Sequence, residues 1–258
     1  MFRFILCVLA LASLTVNGAA QQPVQKISAK VEITSPYLKQ MSKEEPFNVV
    51  IMGDSLADGL HQGLTRLNKE NEALNFVKKS KVNTGFVRID RYDWNKAALK
   101  FAKSKDYQAA VIVIGLNDLQ SFRENGKAYH YKTEGWVERY RERTERMMRD
   151  LKEAGLAVYW VSIPIITPKH RQQEEFPYLN TFYKEAAEKI GVRYIDTWTP
   201  LAGKDGQYSP FWKNEEGKKV EIRRRDGIHF TPNGYLIFAG FINDVLASDL
   251  KAASKAQP

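Results

Sequence analysis

Three short polar clusters in this sequence carry residue types that could perform nucleophilic chemistry together. The first contains Ser55, and the second contains Asn117. The third places Asp226 three residues before His229, a spacing that can bring both side chains to one side of a tight turn. A serine hydroxyl is a weak nucleophile near neutral pH and needs a base within hydrogen-bond reach. His229 can be that base, and Asp226 can hold its ring in one tautomer.

An attack by Ser55 on a carbonyl carbon would create a negatively charged oxygen, which needs hydrogen-bond donors. Ser55 stands at a predicted strand-to-helix junction, where free backbone N–H groups favour negative charge. Its own N–H, a glycine N–H and the side-chain amide of Asn117 are the predicted donors. The structural alternatives are a helix N-cap for Ser55, a turn residue for Asn117 and an ordinary loop histidine for His229.

Alternating apolar and amphipathic segments predict the elements that must position these clusters. Predicted strands cover residues 47–52, 75–82, 109–114, 156–163 and 192–195. Predicted helices cover residues 57–70, 94–104, 136–154, 178–190 and 233–250. This alternation is typical of an α/β protein, and we expect a three-layer α/β/α sandwich around a parallel sheet of about five strands. In such a sheet the reactive groups lie at the carboxyl ends of the strands.

The polar clusters also resemble sequence blocks of the SGNH hydrolases, a superfamily that includes the GDSL-like esterases and lipases. The first, third and fifth blocks are resembled by Gly-Asp-Ser-Leu at 53–56, Gly-x-Asn-Asp at 115–118 and Asp-x-x-His at 226–229. The blocks follow the family order over most of the chain, and Gly85 is the best match to the glycine of the second block. The resemblance implies a flavodoxin-like fold, a Ser-His-Asp triad and an oxyanion hole made by Ser55, Gly85 and Asn117.

A finer resemblance links residues 84–94 and 224–235 to a subgroup of bacterial periplasmic SGNH proteins of largely unassigned substrate. Relatives in the wider superfamily remove or transfer acetyl and other short acyl groups on glycans. The resemblance therefore implies an esterase that acts on an acylated carbohydrate or another small ester. An acyltransferase onto a periplasmic or cell-wall glycan is the alternative, because it would use the same acyl-enzyme. A catalytically silent glycan-binding protein is the alternative from another class.

Five further side chains are candidates for contacting a substrate, and each has a structural alternative. They are Asp54, Arg88, Trp94, Trp198 and Arg225. The arginines could pair with an anionic acyl group or glycan, or could simply be solvated. The tryptophans could stack on sugar rings, or could pack in the core. Asp54 could instead tie its own loop through backbone hydrogen bonds, and we expect Asp118 to brace the segment that follows it.

The first residues of the chain have the layout of a cleaved secretory signal peptide over 1–20. Arg3 precedes an apolar run over 4–16, and small residues follow it at 18–20. That run is shorter than the ~20 residues that span a bilayer core, so a membrane anchor is the less favoured alternative. We expect a mature protein that is periplasmic or secreted, with no stable insertion in a membrane.

The rest of the chain divides into an arm, one domain and a tail. We expect a polar arm over 21–45, a hydrolase domain over 46–250 and a polar tail over 251–258. Residues 196–221 are rich in Gly, Pro and Trp and break the alternation of strands and helices. We therefore expect an insertion near the site there, with a hairpin that turns at 214–217.

Composition excludes several other chemistries. Cys7 is the only cysteine and lies in the predicted signal, so the mature chain would have no thiol nucleophile, disulfide or cysteine metal ligand. The sequence contains neither a metal-ligand spacing nor a phosphate-binding glycine loop, so we predict no metal and no cofactor. The net charge is +9. The secretory signal argues against nucleic acid as a partner, which leaves attraction to an anionic surface or plain solvation of helix faces.

Overall fold

The computed structural model of this protein describes residues 46–169, 173–214 and 216–256. The signal peptide predicted over 1–20 and the arm predicted over 21–45 lie outside the described residues and stay predictions. Within the described ranges, no helix is both long enough and apolar enough to cross a membrane.

Five parallel strands form the central sheet, as the sequence predicts. The strands of the described residues are β1 (Phe47–Gly53), β2 (Leu74–Ser80), β3 (Ala109–Val113), β4 (Phe122–Glu124), β5 (Lys127–Tyr129), β6 (Ala157–Val161), β7 (Arg193–Ile195), β8 (Phe211–Lys213) and β9 (Lys219–Glu221). The sheet has the order β2-β1-β3-β6-β7, and all its neighbouring strands run parallel. The other four strands form the antiparallel hairpins β4–β5 and β8–β9.

Helices flank this sheet and complete the predicted α/β/α sandwich. They are α1 (Ser55–Leu67), α2 (Trp94–Ser104), α3 (Glu134–Glu153), α4 (Phe176–Ile190), the one-turn α5 (Trp198–Leu201) and α6 (Pro232–Ala256), with a short 3₁₀ turn at Gln173–Glu175. Helix α1 packs against α6, whereas α3 packs against both α2 and α4. Right-handed crossovers place these two groups on opposite faces of the sheet. Helix α6 continues to Ala256, into the segment predicted as a tail.

The centre of the sheet is buried because its strands are apolar on both faces. Every residue of β3 and β6 is buried, and in β1 only Asn48 is partly exposed. Continuous apolar runs are the pattern of parallel strands that helices cover on both sides. Strand β2 lies at an edge and carries Lys78 and Lys79, which discourage pairing with another chain. Its position at the edge explains why its apolar pattern is the weaker one.

The turn between β1 and α1 requires a glycine at position 53. Gly53 has a φ of +134°, and a Cβ atom there would lie 1.8 Å from the carbonyl oxygen of Val113 on the neighbouring strand. The next residue, Asp54, caps α1 by accepting a hydrogen bond from the backbone N–H of Leu56 at 3.0 Å. The chain therefore turns sharply at the carboxyl end of β1, and Ser55 becomes the first residue of the helix.

Of the two hairpins, one was predicted from the sequence and the other was not. The hairpin β8–β9 is present as predicted, and in its turn Gly217 donates its N–H to the carbonyl oxygen of Asn214 at 2.9 Å. The hairpin β4–β5 was not predicted from the sequence, and it turns at Asn125 and Gly126 with φ values of +49° and +79°. An Asn-Gly pair is the residue pair that tight hairpin turns favour, so a signal for this hairpin was present in the sequence. Its three-residue strands are too short to show the alternation by which strands are recognised.

Candidate active site

The structure brings together the three side chains that were predicted to form a triad. The Oγ atom of Ser55 lies 2.8 Å from Nε2 of His229, and Nδ1 of His229 lies 2.8 Å from Oδ2 of Asp226. Ser55 follows β1 at the first position of α1, whereas the other two lie in the turn that precedes α6. Ser55 is partly exposed, so a substrate could reach this residue.

The carboxylate of Asp226 is held by its own turn. Its Oδ1 atom accepts hydrogen bonds from the backbone N–H groups of Ile228 at 2.8 Å and His229 at 2.9 Å, which leaves Oδ2 to face the imidazole. Partial burial acts to raise the pKa of Asp226, but the hydrogen bonds from the His229 ring and from these N–H groups outweigh it and lower the pKa below its ordinary value. The aspartate therefore stays ionised at neutral pH and favours a proton on Nδ1 of His229.

A buried arginine that is not among the predicted site residues fixes this turn to the rest of the fold. Arg223 is 2% exposed, and its guanidinium donates to the carbonyl oxygens of Ile165 and Ile228. It also lies 3.6 Å from the centre of the Phe230 ring. Burial lowers the pKa of Arg223 to about 9, which leaves the side chain cationic at neutral pH. The run of three arginines before Asp226 was the signal for this role, because a charged side chain so close to the motif can brace it.

The predicted oxyanion donors lie on three loops that are hydrogen-bonded to one another. The side-chain amide of Asn117 donates to the carbonyl oxygen of Thr84 at 3.0 Å, next to Gly85. The carboxylate of Asp54 accepts from the backbone N–H of Gly115 at 3.2 Å and of Leu116 at 3.0 Å. The loop that follows β3 is therefore attached both to the turn before Ser55 and to the loop that follows β2.

Two backbone donors of this region have no protein acceptor among the described residues. Within the described ranges, neither the N–H of Ser55 nor that of Gly85 donates to a protein acceptor. Free N–H groups are expected at the start of a helix, which is the position of Ser55. Together with the Asn117 amide, they can stabilise a developing negative charge on an oxygen.

Asp54 is a brace and not a substrate contact, which corrects its place among the candidate contacts. Its side chain is completely buried, and all its hydrogen bonds are to backbone N–H groups of the β1 and β3 loops. Desolvation by burial raises its pKa to about 7, although these backbone hydrogen bonds act to lower it. The alternative given from the sequence, a tie of its own loop through backbone hydrogen bonds, describes the bond from Leu56, whereas the bonds from Gly115 and Leu116 attach this turn to the loop that follows β3.

Asp118 braces the loop that precedes it in the chain, whereas we expected it to brace the segment that follows. Its carboxylate accepts from the backbone N–H groups of Phe86 at 3.0 Å and Val87 at 3.2 Å, and from the hydroxyl of Tyr140 at 2.9 Å. Burial raises the pKa of Asp118. A Cβ atom on Gly85 would lie 1.9 Å from Oδ1 of Asp118, so this close approach requires a glycine there.

The other four candidate substrate contacts differ in their burial and in their hydrogen-bond partners. Trp94 is 1% exposed and donates its ring N–H to the hydroxyl of Thr84 at 3.0 Å, so it is a core residue and not a sugar platform. Trp198 is partly buried on α5. Arg88 is paired with Asp90 through two hydrogen bonds, of 2.9 and 2.7 Å. Arg225 is exposed beside Asp226.

The segment 196–221 reaches the turn that carries Asp226 and His229. The hydroxyl of Tyr208 lies 3.1 Å from the position that a Cβ atom on Gly227 would take. The backbone of Gly227 also accepts a hydrogen bond from the N–H of Thr167 at 3.0 Å. Among the described residues, no group of three or more His, Cys, Asp or Glu side chains is placed to hold a metal ion.

The geometry of this fold is shared with solved structures of esterase type. A protein described as an acylhydrolase from Bacteroides fragilis NCTC 9343 is 18% identical, with a TM-score of 0.55 and coverage of 83% of this chain and 92% of that one. A GDSL-like lipase from Bacteroides thetaiotaomicron VPI-5482 is 19% identical, with a TM-score of 0.53 and coverage of 81% and 91%. An acetyl xylan esterase is 16% identical, with a TM-score of 0.55 and coverage of 78% and 100%. These likenesses confirm the predicted SGNH fold.

The amino-acid sequence of this chain matches one family model. A family model described as a protein of unknown function, DUF459, matches residues 48–245. No curated protein matches the chain in sequence. The matched range includes all three side chains of the hydrogen-bonded line from Ser55 to Asp226.

Proposed function

Because the chain belongs to the DUF459 family and has the fold of the SGNH hydrolases, we propose that it is a serine esterase with Ser55 as the nucleophile. The observation that carries this proposal is the line of two hydrogen bonds, each of 2.8 Å, from Ser55 through His229 to Asp226. A helix N-cap or an ordinary loop histidine would not need such a line. With a proton on Nδ1 facing Asp226, Nε2 of His229 can accept the Ser55 hydroxyl proton, which is what proton transfer from a serine requires.

The first half of the reaction forms an acyl-enzyme. The Oγ atom of Ser55 bonds to the ester carbonyl carbon while its proton passes to Nε2 of His229. The carbonyl oxygen takes up the negative charge and accepts hydrogen bonds from the N–H groups of Ser55 and Gly85 and from the amide of Asn117. The bond to the alcohol oxygen then breaks, and His229 returns its proton to that oxygen. Asp226 stabilises the imidazolium that exists between the two proton transfers.

The second half of the reaction releases the acyl group. His229 takes a proton from a water molecule as the water oxygen attacks the acyl carbonyl carbon. The bond to Ser55 breaks, and the proton on Nε2 passes to the serine oxygen, which leaves a free carboxylic acid as the product. If a sugar hydroxyl enters in place of water, the same steps transfer the acyl group to a glycan.

The proposed substrate is a short acyl group on a glycan. Two features support this choice: the fold is shared with an acetyl xylan esterase, and Tyr208 of the 196–221 segment is beside the catalytic turn, where it can face a sugar. A periplasmic or secreted location follows from the predicted signal over residues 1–20. Acylated glycans of the cell surface would then be within reach of the protein.

The test of this function is hydrolysis of a short-chain chromogenic ester and of an acetylated oligosaccharide by the mature protein. We expect turnover by the wild type and a loss of several orders of magnitude in Ser55→Ala and His229→Ala. Adding a non-acylated oligosaccharide as acceptor separates the two outcomes of the acyl-enzyme: free acid indicates an esterase, and an acylated acceptor indicates a transferase. Glycan binding without turnover of any ester would overturn the proposal in favour of a binding protein.

A further inference from the structure

A cleft of about 540 Å³ lies between the loop that follows β2 and the β4–β5 hairpin. Arg88 and Asp90 line it on the loop side, and Gln120, Arg123 and His130 line it on the side of the hairpin. Its volume is in the range of clefts that bind small organic ligands.

Two hydrogen bonds connect the walls of this cleft to the proposed oxyanion hole. The backbone N–H of Val87, two residues after Gly85, donates to Asp118 at 3.2 Å. The side chain of Gln120 donates to the backbone carbonyl oxygen of Asn117 at 2.6 Å. Both walls therefore begin within three residues of a proposed oxyanion donor. They follow strands β2 and β3 at the carboxyl edge of the sheet, where α/β proteins bind their ligands.

The cleft carries an excess of positive charge. Arg88 and Asp90 form a two-pronged ion pair, so together they contribute no net charge. Arg123 lies across from them on β4, is exposed, and makes no ion pair with another described residue. One guanidinium in the wall is therefore unneutralised, and a second is paired with Asp90.

We propose that this cleft binds a carboxylate of the substrate, beside the acyl group that Ser55 attacks. A guanidinium presents a planar fork of N–H donors that matches a carboxylate, and such charge-assisted pairs are stronger than neutral hydrogen bonds. The carboxylate belongs either to a uronic acid unit of the glycan or to a dicarboxylic acyl group such as succinyl. The position of the ester rests on the proposed function, whereas carboxylate binding does not.

The first experiment measures binding without catalysis. Calorimetry on full-length Ser55→Ala compares a short oligogalacturonate with its methyl ester, and succinate with monomethyl succinate. We expect at least one free acid to bind more tightly than its ester. Arg123→Gln in the same background should weaken binding of that acid by about tenfold and leave the ester unchanged. The matched control is Arg66→Gln, because Arg66 is an exposed arginine about 16 Å along α1 from Ser55.

Three results would overturn the carboxylate site. They are equal binding of acid and ester in both pairs, no binding of either acid, and an equal loss of binding in Arg123→Gln and Arg66→Gln. The last result would mean that only the net charge of the protein matters.

The second experiment identifies the source of the carboxylate and separates this inference from the proposed function. The ratio kcat/KM is measured for wild type and Arg123→Gln on two pairs of esters. One pair is acetylated glucuronic acid and its methyl ester, and the other is nitrophenyl succinate and nitrophenyl butyrate. A loss confined to the acid of one pair shows whether the sugar or the acyl group carries the charge. Carboxylate-selective binding with no turnover of any ester would overturn the proposed function and leave this site standing.

Discussion

The Nε2 atom of His229 lies 2.8 Å from the Oγ atom of Ser55, although 174 positions of the chain separate the two residues. Ser55 is oriented by the start of α1. His229 is oriented by a turn that the Arg223 guanidinium holds through a hydrogen bond to the carbonyl oxygen of Ile228. Two independent parts of the fold therefore meet at a single hydrogen bond. A bond of this length is the geometry that a general base needs to take a proton from a nucleophile.

Removal of either side chain should abolish turnover. We expect Ser55→Ala and His229→Ala each to lower kcat by about 10³-fold or more. Because the two groups act as a unit, the kcat of the double variant should be no lower than that of the less active single variant. The measurement is steady-state hydrolysis of a short-chain chromogenic ester. His61→Gln is the control and should keep activity, since the ring of His61 is hydrogen-bonded to the carbonyl oxygen of Phe76 and not to a residue of the proposed triad. A wild-type kcat in either single variant would exclude the proposed mechanism.

Loss of the Asn117 amide should affect the chemical step more than substrate binding. Asn117→Ala should lower kcat by about 10²- to 10³-fold with a small change in KM, because the donor acts on a charge that develops only in the transition state. The same ester assay gives both constants. A variant that raises KM and leaves kcat unchanged would assign Asn117 to substrate binding.

A methyl group at position 85 should displace the loop that follows β2. A Cβ atom on Gly85 would lie 1.9 Å from Oδ1 of Asp118, so Gly85→Ala has to move the loop or the carboxylate that holds it. We expect kcat to fall by about 10²-fold or more, as for loss of one oxyanion donor. Gly240→Ala is the matched control, because open space surrounds Gly240 on α6 and the variant should keep full activity. Equal activity of the two variants would show that catalysis does not depend on the close approach of this loop to Asp118.

The buried carboxyl of Asp54 should make stability depend on pH. Its pKa is raised from 3.8 to about 7 in the folded protein, so between these values the folded chain holds a proton that the unfolded chain has lost. The contribution of this group is therefore complete below pH 3.8 and decreases as the pH rises toward 7, by at most about 1.4 kcal/mol per pH unit.

Denaturant unfolding of wild type and Asp54→Asn at pH 5 and pH 8 isolates this group from the other titrating residues. The asparagine resembles the protonated acid, and so the advantage of the wild type should be smaller at pH 8 than at pH 5. A larger advantage at pH 8 would mean that the three backbone N–H donors stabilise the ionised carboxylate enough to offset its desolvation.

Replacement of Arg223 should destabilise the fold as well as the site. Arg223→Met keeps much of the side-chain volume but leaves the carbonyl oxygens of Ile165 and Ile228 without their donor, which should cost about 2–4 kcal/mol of unfolding free energy. Arg225→Met, at an exposed neighbouring position, should change stability by less than about 0.5 kcal/mol. Urea unfolding monitored by fluorescence measures both. Equal stabilities of the two variants would refute the bracing role.

Some structural features were predictable because they depend on neighbours in the chain. The apolar run at 109–114 predicted β3, since a strand buried on both faces needs apolar residues at every position. The spacing of Asp226 and His229 predicted their contact, because a tight turn brings together residues three apart. The β4–β5 hairpin also had a local signal, Asn125-Gly126, but its strands are too short for the pattern to be recognised.

Other features could not be predicted from a local sequence pattern, because they depend on how distant segments pack. Trp94 and Trp198 are the same residue type near candidate motifs, yet Trp94 is buried in the core and Trp198 is only partly buried. Asp54 follows the motif glycine Gly53, and Asp118 follows the motif asparagine Asn117. Each accepts hydrogen bonds from a distant part of the chain: Asp54 from the loop after β3, and Asp118 from the loop after β2. The same holds for Arg223, which is buried against Ile165 and Phe230, whereas Arg225 is exposed.

By itself the sequence determined the order of the elements, the parallel sheet and the residue types available for chemistry, because hydrophobic periodicity and short-range turns are properties of adjacent residues. Only the tertiary structure decided that Ser55 meets His229, that Asp54 is a brace, and that a cleft with an unneutralised Arg123 lies beside the loops that follow β2 and β3. These features arise where segments far apart in the chain meet. Which side chain becomes buried, and which partner it bonds, is determined there by the packing of both segments together.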